Sequence, residues 1–593
     1  MNLYTGSVLH VDLTAGTALA MPLRQDWLRE YWGGWGLAAR YFQEYSAPGT
    51  DALSPDNPVI IMTGPLCGTL VPLSARFCFM SKSPHTGTVF ESNAGGAFGP
   101  ELKFAGFDGM VITGRSEKPV YLFIRNGRAE LRDASKLWGL GIFETEEKLQ
   151  QLTGGAKTLS IGPAGENLVS FSCIGTEAYR QLGRGGTGAL FGSKNLKAVA
   201  CKGTGAVRVA DMKGFLSIMT QAKTESLLTG DNLWAKTDGT PVLVDLTNEM
   251  GIHPTRNFSL GVNAEKSGLD SDAMKAARAG ERACWSCPMA CGKFTRIDGV
   301  EIEGPEYETL CLGGSNCGVN DLASIARFNR LCDDLGLDTI SSGATIGLAM
   351  DMAEQGLRDF GLRFGGVPEY LAVVEEMARL STDRGRDLAL GVKRLAAKYA
   401  AEDLAVESKG MEFPAYEPRG NHGMGLAYAT SERGACHLRA FTIFAENPFD
   451  GAQLAKDVVA AQNLNAIKWA MCICDFWGTI TTEYLARQLT AGLGETVTAG
   501  ELDRAGERIW NLLRLLNNRE GFTAADDSLP KKILTQALRG GPHEGRTLDM
   551  DELEAMKSLY YAARGWNADA VPRPATLAAL GLEPLTNAEV RHA

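Results

Sequence analysis

The chain has 593 residues, 45% of them hydrophobic and 22% charged, with a formal net charge of −11. That length calls for about three or four domains, and the acidic balance, without a basic run or a basic patch interleaved with aromatics, argues against nucleic acid as a partner. No stretch of about 18 apolar residues could span a membrane, and Met1-Asn2-Leu3-Tyr4-Thr5-Gly6 lacks the charged and apolar regions of a signal peptide, so the cytoplasm is the expected location.

From the N-terminus to about residue 208, short apolar runs alternate with turn signals. Val59-Ile60-Ile61-Met62, Gly109-Met110-Val111-Ile112 and Val120-Tyr121-Leu122-Phe123-Ile124 read as strands, separated by stretches such as Ser83-Pro84-His85-Thr86-Gly87 and Arg125-Asn126-Gly127. Beyond residue 210 the apolar period becomes helical over 211–224, 322–335, 343–354, 369–380 and 504–517. The Pro- and Gly-bearing stretch 411–420 reads as a second boundary. The expected fold class is α+β: a β-rich base domain over 1–208, then mainly α-helical domains over 209–414 and 415–593.

Thirteen cysteines in a large chain without a secretion signal do not suggest a disulfide framework. Cys67, Cys78, Cys173 and Cys201 sit singly in apolar or mixed contexts and read as packing residues. Cys284-Trp285-Ser286-Cys287-Pro288-Met289-Ala290-Cys291 is different. Its C-x2-C-x3-C spacing lets three thiolates wrap one metal centre. Zinc would ordinarily bring a second CxxC or histidines; an iron–sulfur cluster takes a fourth thiolate from elsewhere, and Cys472 and Cys474 are the candidates. No G-x-G-x-x-G sits between a strand and a helix, which speaks against a nucleotide redox cofactor. Two glycine-rich segments, Ser92-Asn93-Ala94-Gly95-Gly96 and Gly183-Arg184-Gly185-Gly186-Thr187-Gly188, bring bare backbone amides near Arg76 and Arg184, a combination suited to phosphate oxygens.

Taken in order, these motifs resemble the aldehyde ferredoxin oxidoreductase family of tungsten enzymes. The resemblance runs from Gly33-Gly34-Trp35-Gly36-Leu37 through Ser74-Ala75-Arg76, Ser92 to Gly96, Gly162-Pro163-Ala164-Gly165-Glu166-Asn167 and Gly183 to Gly186. It continues through the cysteine run, Gly304-Pro305-Glu306-Tyr307-Glu308-Thr309, Asp333-Asp334-Leu335-Gly336-Leu337-Asp338 and Arg433-Gly434-Ala435-Cys436-His437-Leu438-Arg439. It implies tungsten or molybdenum held by two pterins, a [4Fe–4S] cluster, and Mg2+ bridging the pterin phosphates. Arg76, Asn93, Gly95, Arg184 and Gly185 would surround those phosphates, and Asp333, Leu337 and Asp338 would recognise one pterin. The family's second pterin motif, DxxGLC, is matched only by its end in Trp469-Ala470-Met471-Cys472-Ile473-Cys474. There Ile473 takes the Leu position, Trp469 replaces the acid, and the following Asp475-Phe476 favours Cys474 as the fourth cluster ligand beside Cys284, Cys287 and Cys291.

By the same resemblance Glu308 would act as base, His437 would polarise the substrate carbonyl, and Tyr307 and Tyr416 would line the pocket. The implied reaction oxidises small aldehydes to carboxylic acids, with electrons passing to ferredoxin or a small Fe–S subunit. The E-x-x-H of members that share a bridging iron is replaced by Arg327-Phe328-Asn329-Arg330, so any homodimer would lack that metal. Two other readings stand: a low-potential reductase of an aromatic acyl-CoA, and a non-catalytic Fe–S relay subunit.

Overall fold

The computed structural model describes residues 1–585, so the end of the expected third domain, 586–593, lies outside it. Twelve strands precede residue 203: β1 (Ser7–Asp12), β2 (Thr17–Pro22), β3 (Val59–Met62), β4 (Phe77–Lys82), β5 (Val89–Ala94), β6 (Gly109–Thr113), β7 (Val120–Arg125), β8 (Arg128–Asp133), β9 (Lys157–Ile161), β10 (Ile174–Thr176), β11 (Arg180–Leu182) and β12 (Leu196–Lys202). They form two six-stranded sheets, ordered β2-β1-β6-β3-β4-β5 and β11-β10-β9-β12-β7-β8. Both are mixed, with parallel pairs at β1/β6 and β7/β12.

Alternation of side chains along a strand explains how the first sheet holds the molecule together. Val59 and Ile61 point into a core shared with Leu122, Ile124, Leu159 and Val199 of the second sheet. Ile60 and Met62 point the other way, into the large core of the helical part. A sheet buried on both faces reads as a continuous apolar run, which is what Val59-Ile60-Ile61-Met62 is. The outer face of the second sheet, with Tyr121, Phe123, Ala198 and Ala200, packs on Leu149 of helix Ile142–Thr153.

The helical periodicities beyond residue 210 correspond to helices Met212–Ala222, Leu322–Leu335, Thr339–Glu354, Val367–Arg379 and Ala499–Arg519. Several begin on side-chain caps, Asp211, Asp321, Asp338 and Thr498 each accepting an amide of the first turn. The stretch 411–420, expected as a boundary, is buried throughout. Its polar groups find partners inside the protein: Arg419 forks onto Glu417 at 2.8 Å, and the Ala415 amide donates to Glu308 at 2.9 Å.

Asp527 is a node of this interior. Its carboxylate faces Lys409 Nζ at 2.8 Å and Arg514 at 3.0 Å and accepts the Tyr561 hydroxyl at 2.7 Å. It thereby ties the hairpin Glu407–Glu412 to helices Ala499–Arg519 and Met550–Arg564. Asp527→Leu strands two buried cations and should cost about 3–5 kcal/mol, read as a lower denaturant midpoint; an unchanged midpoint would refute this account of the node.

Candidate active site

The three cysteines of the run lie in the loop between antiparallel strands Arg278–Arg282 and Gly292–Ile297. Ser286 and Ala290 adopt left-handed φ values of 52° and 45°, curling the loop back on itself. Cys474 follows the long helix Gly451–Ala470. All four thiols line one cavity of about 160 Å³, together with Arg76, Gly95 and Arg180. Gly95 is required by close approach, since a Cβ there would lie 2.7 Å from Cys284 Sγ. Cys472 is buried away from this cavity, its sulfur against Gly34.

Two largely buried arginines, 20% and 16% exposed, flank the thiols. Arg76 donates to Cys474 Sγ at 3.3 Å and Arg180 to Cys291 Sγ at 3.8 Å, while the Nε of each is buried without an acceptor. Burial pushes the Cys287 thiol up to about 12, and Cys291 is also raised. Each arginine also meets a carboxylate, Asp475 at 3.6 Å for Arg76 and Glu303 at 3.4 Å for Arg180, and the two cations beside the cavity would further favour metal-bound thiolates over neutral thiols. Among the described residues no group of three His, Cys, Asp or Glu side chains is gathered as a single-ion site. Four thiols spaced around a cavity fit a polynuclear cluster better than one tetrahedral ion.

Beside this cavity the molecule repeats itself. After β9 the Gly162-Pro163 corner lies under a helix end, where a Cβ on Gly162 would meet the Leu335 carbonyl carbon at 2.4 Å. After β3 the Gly64-Pro65 corner lies under another, with Met471 at 2.4 Å. The two helix ends match residue for residue. Gly336 and Cys472 both take left-handed φ, 79° and 61°. Leu337 donates its amide to Cys332 O and Ile473 to Lys468 O, each at 2.8 Å. The next amides reach back to the base domain, Asp338 to Phe171 O at 3.1 Å and Cys474 to Leu73 O at 2.9 Å. Each end residue then meets an arginine: Asp338 binds Arg184 Nε at 3.0 Å, and Cys474 accepts from Arg76. Two equivalent cradles are suited to two copies of one ligand type.

The first cradle opens onto a cavity of about 310 Å³ lined by Arg76, Asn93, Gly95, Arg184, Glu308, Asp333, Leu337 and Asp338. Asp333 accepts from Gln181 and Asn329, both at 3.0 Å, and burial lifts its pKa to about 7. A carboxyl so held can accept from, or donate to, a heterocycle edge. Asp338 is occupied by Arg184, Ser341 and the Ile340 amide, and Arg184 also donates to the Glu412 and Ala435 carbonyls. These two shape the wall. Gly185 lies outside the lining: its φ is 90°, and a Cβ would strike the Phe90 ring at 2.3 Å. In the second cradle Trp469, at the position of Asp333, donates its indole N–H to Asp475 at 2.8 Å and packs on Trp35 under Arg439. Ile473 is fully buried behind it.

At one end of the larger cavity Glu308 Oε1 lies 3.6 Å from His437 Nδ1 and has no hydrogen-bond partner, while Oε2 accepts the Ala415 amide. Both side chains keep 18% of their surface accessible, yet they lie deep enough that burial governs their titration. It raises Glu308 to about 8 and lowers His437 to about 3, the latter helped by Arg184, Arg433 and Arg439. The pair is therefore neutral near pH 7. Tyr307 donates its hydroxyl to the Ala415 carbonyl, and its ring lies 5.4 Å from that of Tyr416, which lies 5.3 Å from His437. Sequence reading missed Arg180, Gln181 and Asn329, which carry no motif; proximity to Arg184 and to the Asp333 helix was their only signal.

Residues 8–203 match the N-terminal domain of aldehyde ferredoxin oxidoreductase, and residues 218–582 match its domains 2 and 3. The tungsten-containing aldehyde ferredoxin oxidoreductase of Pyrococcus furiosus is 39% identical over 95% of this chain and 96% of its own. That of Thermococcus kodakarensis is 38% identical over 96% and 97%. An aliphatic sulfonate oxidoreductase, WOR-like subunit, of Pyrococcus furiosus is 28% identical over 98% and 97%. Among solved structures, a chain of the BamBC active site complex of benzoyl coenzyme A reductase superposes with a TM-score of 0.84, covering 98% of this chain and 97% of that one. At 24% identity this likeness speaks for the fold alone. No helix among the described residues is long and apolar enough to cross a membrane. With both domain matches and near-full-length identity in agreement, the chain belongs to the aldehyde ferredoxin oxidoreductase family, and it is an oxidoreductase.

Proposed function

We propose that this enzyme oxidises aldehydes to carboxylic acids at a tungsten (or molybdenum) bis-pterin centre and passes the electrons through a [4Fe–4S] cluster to ferredoxin or a small Fe–S partner. The observation that carries the reading is Glu308, paired with His437 at 3.6 Å, on the wall of a cavity that shares Arg76, Gly95, Arg180 and Glu306 with the four-thiol cavity. Cys284, Cys287, Cys291 and Cys474 would hold the cluster. Asp333, Leu337 and Asp338 would seat one pterin and Ile473 the other, with Asn93 and Arg76 near phosphates joined by Mg2+. When bound, the pterin-held metal supplies the two-electron change and the cluster exports electrons singly.

The overall change is aldehyde plus water to carboxylic acid, two protons and two electrons, so the protein must handle protons. Glu308 lines the cavity and has one carboxylate oxygen without a hydrogen-bond partner; once ionised it takes a proton from the attacking water. His437 stays neutral and offers an N–H to the carbonyl oxygen, where negative charge develops. Tyr307 is held by the Ala415 carbonyl and Thr247, so it serves as wall rather than acid.

Two experiments test this. In anaerobically purified enzyme, Cys287→Ser should lose most of the cluster's visible absorbance and its ferredoxin reduction; wild-type absorbance would remove the four-thiol assignment. With wild-type enzyme, kcat/KM for an aldehyde should climb about tenfold per pH unit below pH 7 and level off above about 8, as Glu308 gives up its proton. Glu308→Gln should abolish that limb and lower kcat by about 100-fold or more with metal and iron content unchanged. A wild-type profile in the variant would take Glu308 out of the reaction.

A further inference from the structure

A third cavity, of about 440 Å³, shares no lining residue with either cavity of the active site. Its charged lining sets Arg256, Arg419, Lys532 and Arg539 against Asp351 and Glu354. Arg419 is answered by Glu417, Lys532 by Asp351 at 2.8 Å and Arg256 by Glu354 at 2.5 Å. Arg539 forms no ion pair among the described residues; its Nε donates to the Ser259 carbonyl at 3.4 Å. The lining therefore carries one uncompensated cation.

Unused donors accompany that charge. Lys532, on helix Lys531–Thr535, is 2% exposed, yet Asp351 Oδ2 is the only acceptor its ammonium finds among the described residues. The same oxygen also accepts from Asn257 at 2.9 Å. A buried ammonium with unmet N–H groups loses free energy that a ligand oxygen restores. The Arg256–Glu354 pair is 42% and 45% exposed, where a salt bridge contributes little and can yield to a stronger acceptor.

The wall is also built at a backbone cost. Arg256, Asn257 and Phe258 take left-handed φ values of 49°, 50° and 57° in succession, a conformation that residues with side chains adopt singly rather than in runs. The Arg256 and Asn257 amides donate to Ser315 O and Asn316 O, both at 3.1 Å, and the Phe258 carbonyl accepts from Arg419. The Gly261 amide donates to Arg539 O at 3.1 Å, which fixes Arg539 beside the same run. Strain held in place by its surroundings concentrates at ligand sites. Here it brings Arg256 to the cavity and Asn257 to Asp351.

We propose that this cavity binds a phosphoryl group, with Lys532, Arg539 and Arg256 as its donors. A planar carboxylate is matched by one guanidinium fork. Cations from three separate segments suit a tetrahedral group with several strong acceptor oxygens. The volume lies in the range of small-molecule pockets, about 300–1,000 Å³, so an organic body attached to the phosphate also has room. With no lining residue in common, the site stands independently of the aldehyde reading.

The test is calorimetry on the anaerobically purified holoenzyme with inorganic phosphate, AMP and adenosine. Wild-type enzyme should bind both anions, more weakly as salt is raised, and should bind adenosine at least tenfold more weakly than AMP. Arg539 is exposed, so Arg539→Ala should keep the wild-type denaturant midpoint while weakening both anions about tenfold or more. Tighter binding of AMP than of phosphate identifies an ester as the occupant, and equal binding identifies the free ion; both support the site. Three results would overturn it: no binding of either anion by the wild type, adenosine binding as well as AMP, or wild-type affinity in the Arg256→Ala, Arg539→Ala double variant.

Discussion

Everything around the cavities depends on two helix ends meeting two glycine corners. Gly64 and Gly162 admit the backbones of Met471 and Leu335 to distances that no Cβ would tolerate. Only because of that contact can Asp338 and Cys474 reach carbonyls of the base domain and come under Arg184 and Arg76. A side chain at either corner would lift a helix end, and with it a thiol or a carboxylate, by more than a hydrogen bond can stretch. The twofold repetition also explains the division of labour: the sheets supply corners and arginines, and the helical part supplies acids and thiols.

Charge is the second constraint. Arg76, Arg180 and Arg184 are taken from water into one region, and each is answered from the helical part: Cys474 and Asp475, Glu303 and Cys291, Asp338 and Glu412. Burying such groups is tolerable only when every charge is met. This is why the arginines share their neighbourhood with the thiols rather than lying on the surface, and why the cavities adjoin one another.

Much of this was legible in the sequence, for physical reasons that differ by element. Strands such as Val59–Met62 and helices such as Leu322–Leu335 announce themselves by periodicity. The cysteine run declares itself by spacing. In the stretch 411–420 proline and glycine, which usually mark solvent-exposed turns, instead thread a buried segment whose polar groups are satisfied by Glu308 and by the Glu417–Arg419 pair. Only the end of the second cradle is legible in the sequence, because Trp469 and Cys472 stand where Asp333 and Gly336 stand in the other copy. The shared feature is the left-handed turn, which cysteine can adopt at a cost and which composition does not reveal. Arg180 and Asn329 are positioned by tertiary packing and have no local signature.

Glu308 and His437 show what the site costs. Burial raises the first from 4.5 to about 8 and lowers the second from 6.5 to about 3. For Glu308 the folded state keeps a proton that the unfolded chain releases, so its effect on stability worsens as pH rises from 4.5 to about 8. For His437 the folded state refuses a proton that the unfolded chain accepts, so its effect worsens as pH falls from 6.5 to about 3. Between 4.5 and 6.5 the two slopes oppose each other, and the sum stays unfavourable and nearly flat. No pH relieves both groups. Selection for stability alone would disfavour such a pair, and its presence where Glu308 lines a cavity follows if proton transfer there is what the fold serves.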